Sequence, residues 1–98
     1  MLELKNKKTF LTQLDNNPKN IFLLYIYEIL DNDIVNKLNI TSKYGVYTYG
    51  LNILNNLLVE EFEVSVYPII RIYYEKEIND FSVYDDGILD FIYNIIYS

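Results

Sequence analysis

Ninety-eight residues carry fourteen carboxylates against eight Lys and Arg, a net charge of −6, in a chain that is 51% apolar with eleven Tyr and five Phe. That balance, with Arg71 the one arginine, argues against a phosphate-gripping surface. The absence of Cys removes disulfides and thiolate metal sites, and the absence of His removes the commonest general base and zinc ligand.

In chain order, Leu2 and Leu4 alternate with Glu3 and Lys5, which suits a short strand. Thr9 then caps a brief helix through Leu14, and Asp15-Asn16-Asn17 breaks it. Asn17-Pro18 reads as a helix start, because Asn caps well and Pro is tolerated at the first helical position. From there Leu23, Tyr27, Leu30, Ile34 and Leu38 recur at spacings of four and three. That stripe predicts a helix as far as Asn39, with an interruption at Asp31-Asn32-Asp33 that would make Asp33 the cap of a second helix. Residues 21–30 are apolar nearly all round, so a buried strand stands as the alternative there; periodicity cannot separate the two.

Thr41 or Ser42 can cap a further helix, whose stripe is Tyr47, Leu51, Leu54 and Leu58. Gly45 and Gly50 weaken its first half, so the expected helix runs from about Tyr49 to Val59. The period then drops to two. Phe62, Val64, Val66, Ile70, Ile72 and Tyr74 occupy even positions, with Glu61, Glu63, Tyr67, Arg71, Tyr73 and Glu75 among the odd ones. A hairpin over about 61–84 follows, with Pro68 at an edge or bulge, a turn at Glu77–Asp80 and a returning strand at Phe81–Tyr84. Asp85-Asp86-Gly87 opens a last helix that buries Ile88, Phe91, Ile92, Ile95 and Ile96. The predicted fold is α+β: three to four helices on a small antiparallel sheet built around that hairpin, in a single domain, 1–98.

The acids are unevenly spread. Residues 51–98 hold nine carboxylates and two cations, while residues 1–50 hold five and six, so the halves carry 2 − 9 = −7 and 6 − 5 = +1. Asp85, Asp86 and Asp90 are the best candidate metal site, although a capped helix start explains the first two without an ion. Glu61 and Glu63 share a strand face and could be paired for acid–base work, but a solvated sheet face is the plainer reading. No P-loop or dinucleotide fingerprint occurs. No cofactor is expected, and the chain is read as a non-enzyme. Lys5, Lys7, Lys8 and Lys19 offer a nucleic-acid surface that the net charge disfavours.

The expected interaction surface is therefore the acidic odd face of the hairpin. It comprises Glu61, Glu63, Glu75 and Glu77 as a charged rim, with Tyr67 and Tyr73 as aromatic anchors. Its partner would be a protein with a basic surface. Apolar content beyond what one small core can bury also predicts self-association, a homodimer or a structural module. The apolar run Ile21–Tyr27 is too short to span a membrane and the N-terminal lysines precede no apolar stretch, so a cytoplasmic protein is expected.

Fourteen Ile and twelve Asn beside no Ala point to an AT-rich coding sequence, common in viruses. In size, acidity and composition over its whole length, the chain resembles the small anti-CRISPR proteins of archaeal rudiviruses that act on subtype I-D systems. That resemblance implies a viral inhibitor in the host cell, a homodimer that binds the large subunit of the CRISPR effector. It carries no motif, and so no residue role.

Overall fold

The structure, a computed structural model, describes the backbone of residues 1–98 and the side chains of all but Asn56. In chain order the elements are β1 (Leu2–Glu3), α1 (Lys7–Asn16), β2 (Phe22–Tyr27), α2 (Asn32–Thr41) and β3 (Tyr47–Asn52). There follow α3 (Asn56–Glu61), β4 (Ile69–Tyr74), β5 (Glu77–Ser82) and α4 (Gly87–Ile96). The strands form one sheet in the order β1-β3-β2-β4-β5. β1, β3 and β2 run parallel, whereas β4 and β5 are antiparallel to their neighbours. The α+β class and the four helices agree with expectation. The expected antiparallel sheet does not: it is mixed, because β2, α2 and β3 make a parallel crossover unit.

β2 decides the architecture. All six of its residues are buried. Leu23, Tyr25 and Tyr27 face a layer made by Ile34 and Leu38 of α2 and Ile88 and Ile92 of α4. Phe22, Leu24 and Ile26 face Phe10 of α1, Leu58 and Val59 of α3, and Phe62. A central strand covered on both sides has no reason to alternate, so its sequence reads as a continuous apolar run. The helix expected from Asn17-Pro18 is thereby corrected to the buried strand, and the expected cap at Asp33 moves to Asp31. The Asp31 Oδ1 accepts from the backbone N–H of Asp33 at 2.9 Å and of Ile34 at 3.4 Å.

The helix expected over Tyr49–Val59 is likewise replaced by β3 and the short α3. A 3-10 turn over Ser42–Tyr44 ends at Gly45, whose φ of +82° only glycine adopts freely, and this sends the chain into β3. Leu54, assigned to a buried stripe, is 79% exposed. The first helix is capped by Asn6, not Thr9: the Asn6 Oδ1 accepts from the Thr9 N–H at 2.7 Å. β1 is tied down by Glu3, which accepts from the Tyr27 hydroxyl at 2.9 Å and from the Asn52 N–H at 3.2 Å. Burial and the Glu3 carboxylate together push the Tyr27 phenol up to about 12.

The hairpin is shorter than expected. Only Ile69–Tyr74 of the period-two stretch is strand, since the segment ahead of it closes α3 and then loops to Pro68 through a cis Tyr67-Pro68 peptide. The turn falls at Glu75-Lys76, between the paired Tyr74 and Glu77, and not at Glu77–Asp80. Both turn residues have positive φ, 50° and 67°. That is the mirror-image turn a two-residue hairpin prefers, built from residues that disfavour it. Replacing Glu75-Lys76 by Asn-Gly is expected to stabilise the protein by about 1 kcal/mol. A shift of the urea midpoint at unchanged slope would show it, and a lowered midpoint would refute the turn assignment. Among the described residues, no helix is long and apolar enough to cross a membrane.

Candidate functional site: a cleft at the carboxyl end of β2

Sheet register brings three chain segments to one end of the molecule. β2 finishes at Tyr27 and turns through Glu28-Ile29-Leu30 into α2. β4 begins beside it, with Ile69 opposite Ile26, so Pro68 flanks that turn. β5 finishes at Ser82 opposite Ile69, and Tyr84 rises from the loop that follows. Between them lies a cleft of about 480 Å³ lined by Tyr25, Glu28, Ile29, Leu30, Pro68 and Tyr84, together with Asp31, Asn32 and Ile34 of the helix start. Open α/β sheets bind ligands at this end of their parallel strands.

The rim is apolar and uncovered. Ile29 is 83% exposed, Tyr84 78% and Leu30 46%, and Val66 and Tyr67 just before Pro68 are also exposed. The floor is different. Tyr25 is buried, and desolvation pushes its phenol up, partly offset by the Asp31 backbone amide directed at its oxygen. Tyr25 therefore brings a phenol to the lining of the cleft, beside the backbone of Asp31.

A second, comparably large cleft of about 550 Å³ lies at the opposite end of the sheet. The end of α1, the loop to β2 and the β4–β5 turn enclose it, with Leu14, Pro18, Tyr73 and Ile78 as its apolar lining.

The residues expected to form an acidic interface do not share one face. Glu61 ends α3, Glu63 follows it with a φ of 54°, and Tyr67 is exposed beside Pro68. Glu61 and Glu63 flank Phe62, whose carbonyl meets Arg71 in the middle of β4. Glu75 and Glu77 stand at the end of β4 away from Tyr67, about 20 Å from it at the usual rise of a six-residue strand. Tyr73 is no surface anchor. It is 9% exposed and packs edge-on against Phe10, with ring centroids 5.1 Å apart. The expectation failed because both faces of β4 are covered: odd positions meet α1 and α3, even positions α2 and α4.

Among the described residues, no three acidic side chains are placed to hold a metal. Of the suggested trio, the Asp85 Oδ1 accepts from the Gly87 N–H at 2.7 Å, and Asp90 lies in the first turn of α4. Lys7 is engaged within the fold: it donates to the Glu61 carbonyl at 2.6 Å and lies over the Phe62 ring.

No protein-family model matches the sequence, and no curated protein does. Solved structures do match. The thioredoxin of Fasciola hepatica superposes with a TM-score of 0.78 over 96% of this chain and 98% of its own, at 12% identity. The chain has a thioredoxin-like fold. Thioredoxin f from spinach chloroplast, in its short form, gives 0.74 over 96% and 91% at 19% identity. Thioredoxin f2 of Chlamydomonas reinhardtii gives 0.74 over 96% and 94%, also at 19%.

These neighbours overturn the anti-CRISPR resemblance, and with it the viral inhibitor of a CRISPR effector. That resemblance rested on size, charge and base composition, which report codon bias and solubility; strand order and crossover connections are a different kind of information. A thioredoxin-like redox site is a C-x-x-C beside a βαβ unit. Here the strand-to-helix junction of that unit reads Glu28-Ile29-Leu30-Asp31-Asn32-Asp33, and the chain holds no thiol. The cleft was missed in sequence because its parts, residues 25–34, 68 and 84, are distant in the chain. The local signal present was a seven-residue apolar run, Ile21–Tyr27, followed after Glu28-Ile29-Leu30 by Asp31-Asn32-Asp33, which fits a strand delivered to a helix cap.

Proposed function

We propose that this chain is a non-enzymatic binding module on a thioredoxin-like scaffold, which holds an extended segment of a partner protein in the cleft at the carboxyl end of β2. Thiol–disulfide exchange needs a thiolate nucleophile, and no residue of this chain can supply one. The observation that carries the reading is the uncovered apolar rim, with Ile29 83% and Tyr84 78% exposed on either side of a formed cleft. Contiguous exposed apolar surface marks an interaction site. Tyr25 adds a polar group to the lining, and a phenol O–H can orient a guest by donating to its carbonyl. The apolar surplus evident in the composition thus finds part of its explanation here.

A random peptide library displayed against the full chain tests this. Enriched peptides should share an apolar centre, and Ile29→Asp should weaken them at least tenfold, or about 1.4 kcal/mol. Ile29 is mostly exposed, so that variant should unfold at the wild-type temperature. Peptides that bind the variant equally well, or a library that yields none, would remove the proposal.

A further inference from the structure

We infer that the segment bound in this cleft is cationic: an apolar residue flanked by Lys or Arg. This rests on the binding-module reading above and adds the chemical class of the partner. Two carboxylates, Glu28 and Asp31, line the cleft, and no cation does. Asp33 follows the lining Asn32, and Asp85 and Asp86 follow Tyr84; all three are exposed. The starts of α2 and α4 lie here as well, and each helix N-terminus contributes roughly half a positive charge. Together that offsets about one of the five carboxylates, so the mouth stays strongly negative.

Helix capping does not account for the whole set. Asp31 caps α2 and Asp85 accepts from Gly87, each through one oxygen. Asp86 makes no side-chain capping bond, and neither Glu28 nor Asp33 is paired in a salt bridge among the described residues. Tyr84 adds an exposed ring face on which a guanidinium or ammonium can stack. The second cleft gives a contrast. It is lined by Lys19 and Lys76 as well as Asp15 and Glu75, so its charge selects no partner. Of these two clefts, the one at the end of β2 combines an apolar rim with charge of one sign, which is what electrostatic complementarity needs to choose among apolar peptides.

The test uses the full chain and three synthetic peptides that share one apolar centre, enriched on the wild-type protein, and differ in having Lys, Gln or Glu flanks. Calorimetry or fluorescence anisotropy should rank them Lys, Gln, Glu, with the first at least tenfold tighter than the second at low salt. Raising the salt to about 0.5 M should erase most of that ratio, because the acids are exposed and screened over a few ångströms. Glu28→Gln and Asp33→Asn, in a protein with unchanged thermal unfolding, should narrow it at least threefold. Equal binding of the Lys- and Gln-flanked peptides would overturn this inference and leave the binding module standing. A lysine preference untouched by both substitutions would overturn the placement in this cleft. Binding by none of the three would remove the binding module and the inference with it.

Discussion

Phe10→Ala is expected to destabilise the protein by about 4 kcal/mol, the usual range for emptying a fully buried aromatic site. Phe10 is 1% exposed. Its ring meets Phe22, Tyr49, Phe62 and Tyr73 edge-on, at centroid distances of 6.1, 5.4, 5.6 and 5.1 Å. Those four partners belong to β2, β3, the end of α3 and β4, so one side chain of α1 holds four segments in register. Edge-to-face pairs add to area burial, and aromatic walls cannot collapse far into the space left behind. Domains of this size are stable by only about 5–15 kcal/mol, so the variant should sit close to its unfolding threshold. Urea denaturation measures the loss directly, and Phe10→Leu should recover more than half of it. A loss below about 1.5 kcal/mol would mean that α1 is not packed on the sheet as described.

Arg71→Ala is expected to cost about 2 kcal/mol, well beyond an ordinary surface ion pair. The Arg71 guanidinium donates from Nε to Asp80 Oδ1 at 2.7 Å and from Nη2 to Oδ2 at 3.0 Å, a two-pronged pair directly across β4 and β5. Its remaining arm donates from Nη1 to the Phe62 carbonyl at 2.6 Å, and so pins the loop after α3 to the sheet. The Arg71 side chain is only 13% exposed, whereas Asp80 is 46% exposed. The Asp80 hydrogen bond leads the causes that raise the pKa of Arg71, ahead of the opposing desolvation. Removing the arginine leaves a carbonyl and a carboxylate unpaired. Removing Asp80 leaves the Phe62 contact intact, so Asp80→Ala should cost about half as much. Lysine cannot form the fork, and Arg71→Lys should recover little. Equal losses for Arg71→Ala and Asp80→Ala would show that the Phe62 contact contributes nothing.

How legible the fold was varied by element. The last helix was readable because α4 is amphipathic: one face buries Ile88 and Ile92 while Asp90 and Asn94 stay exposed, so its period survives in the sequence. β1 could be read from the alternation of Leu2 and Leu4, and α1 was placed within three residues of its ends. β2 could not be read by period, because a strand buried on both faces erases the alternation that identifies strands. Length carried the missing information: seven apolar residues between Asn20 and Glu28 suit a strand better than a helix. β3 was misread for a related reason. Tyr47 and Leu51 fit a helical stripe by spacing, yet Gly50 lies where a Cβ would come within 2.8 Å of the Met1 side chain.

The candidate site was legible only in fragments. Asp31-Asn32-Asp33 was visible as a helix cap, Pro68 as a break and Asp85-Asp86-Gly87 as a helix start, and nothing local linked them. Read as one acidic surface, the C-terminal carboxylates pointed to the hairpin; the structure spreads those along β4 and gathers a different acidic set around the β2–α2 turn.

Composition by itself determined that this chain performs no thiol or imidazole chemistry, that half of it is apolar, and that its net charge is −6. Those follow from which atoms are present, and folding cannot change them. Only the tertiary structure decided which apolar residues remain outside and which acids stand beside them. Strand order places Glu28, Pro68 and Tyr84 at one sheet end and Glu75 at the other, and register between strands far apart in the chain is a property that no local window of sequence contains.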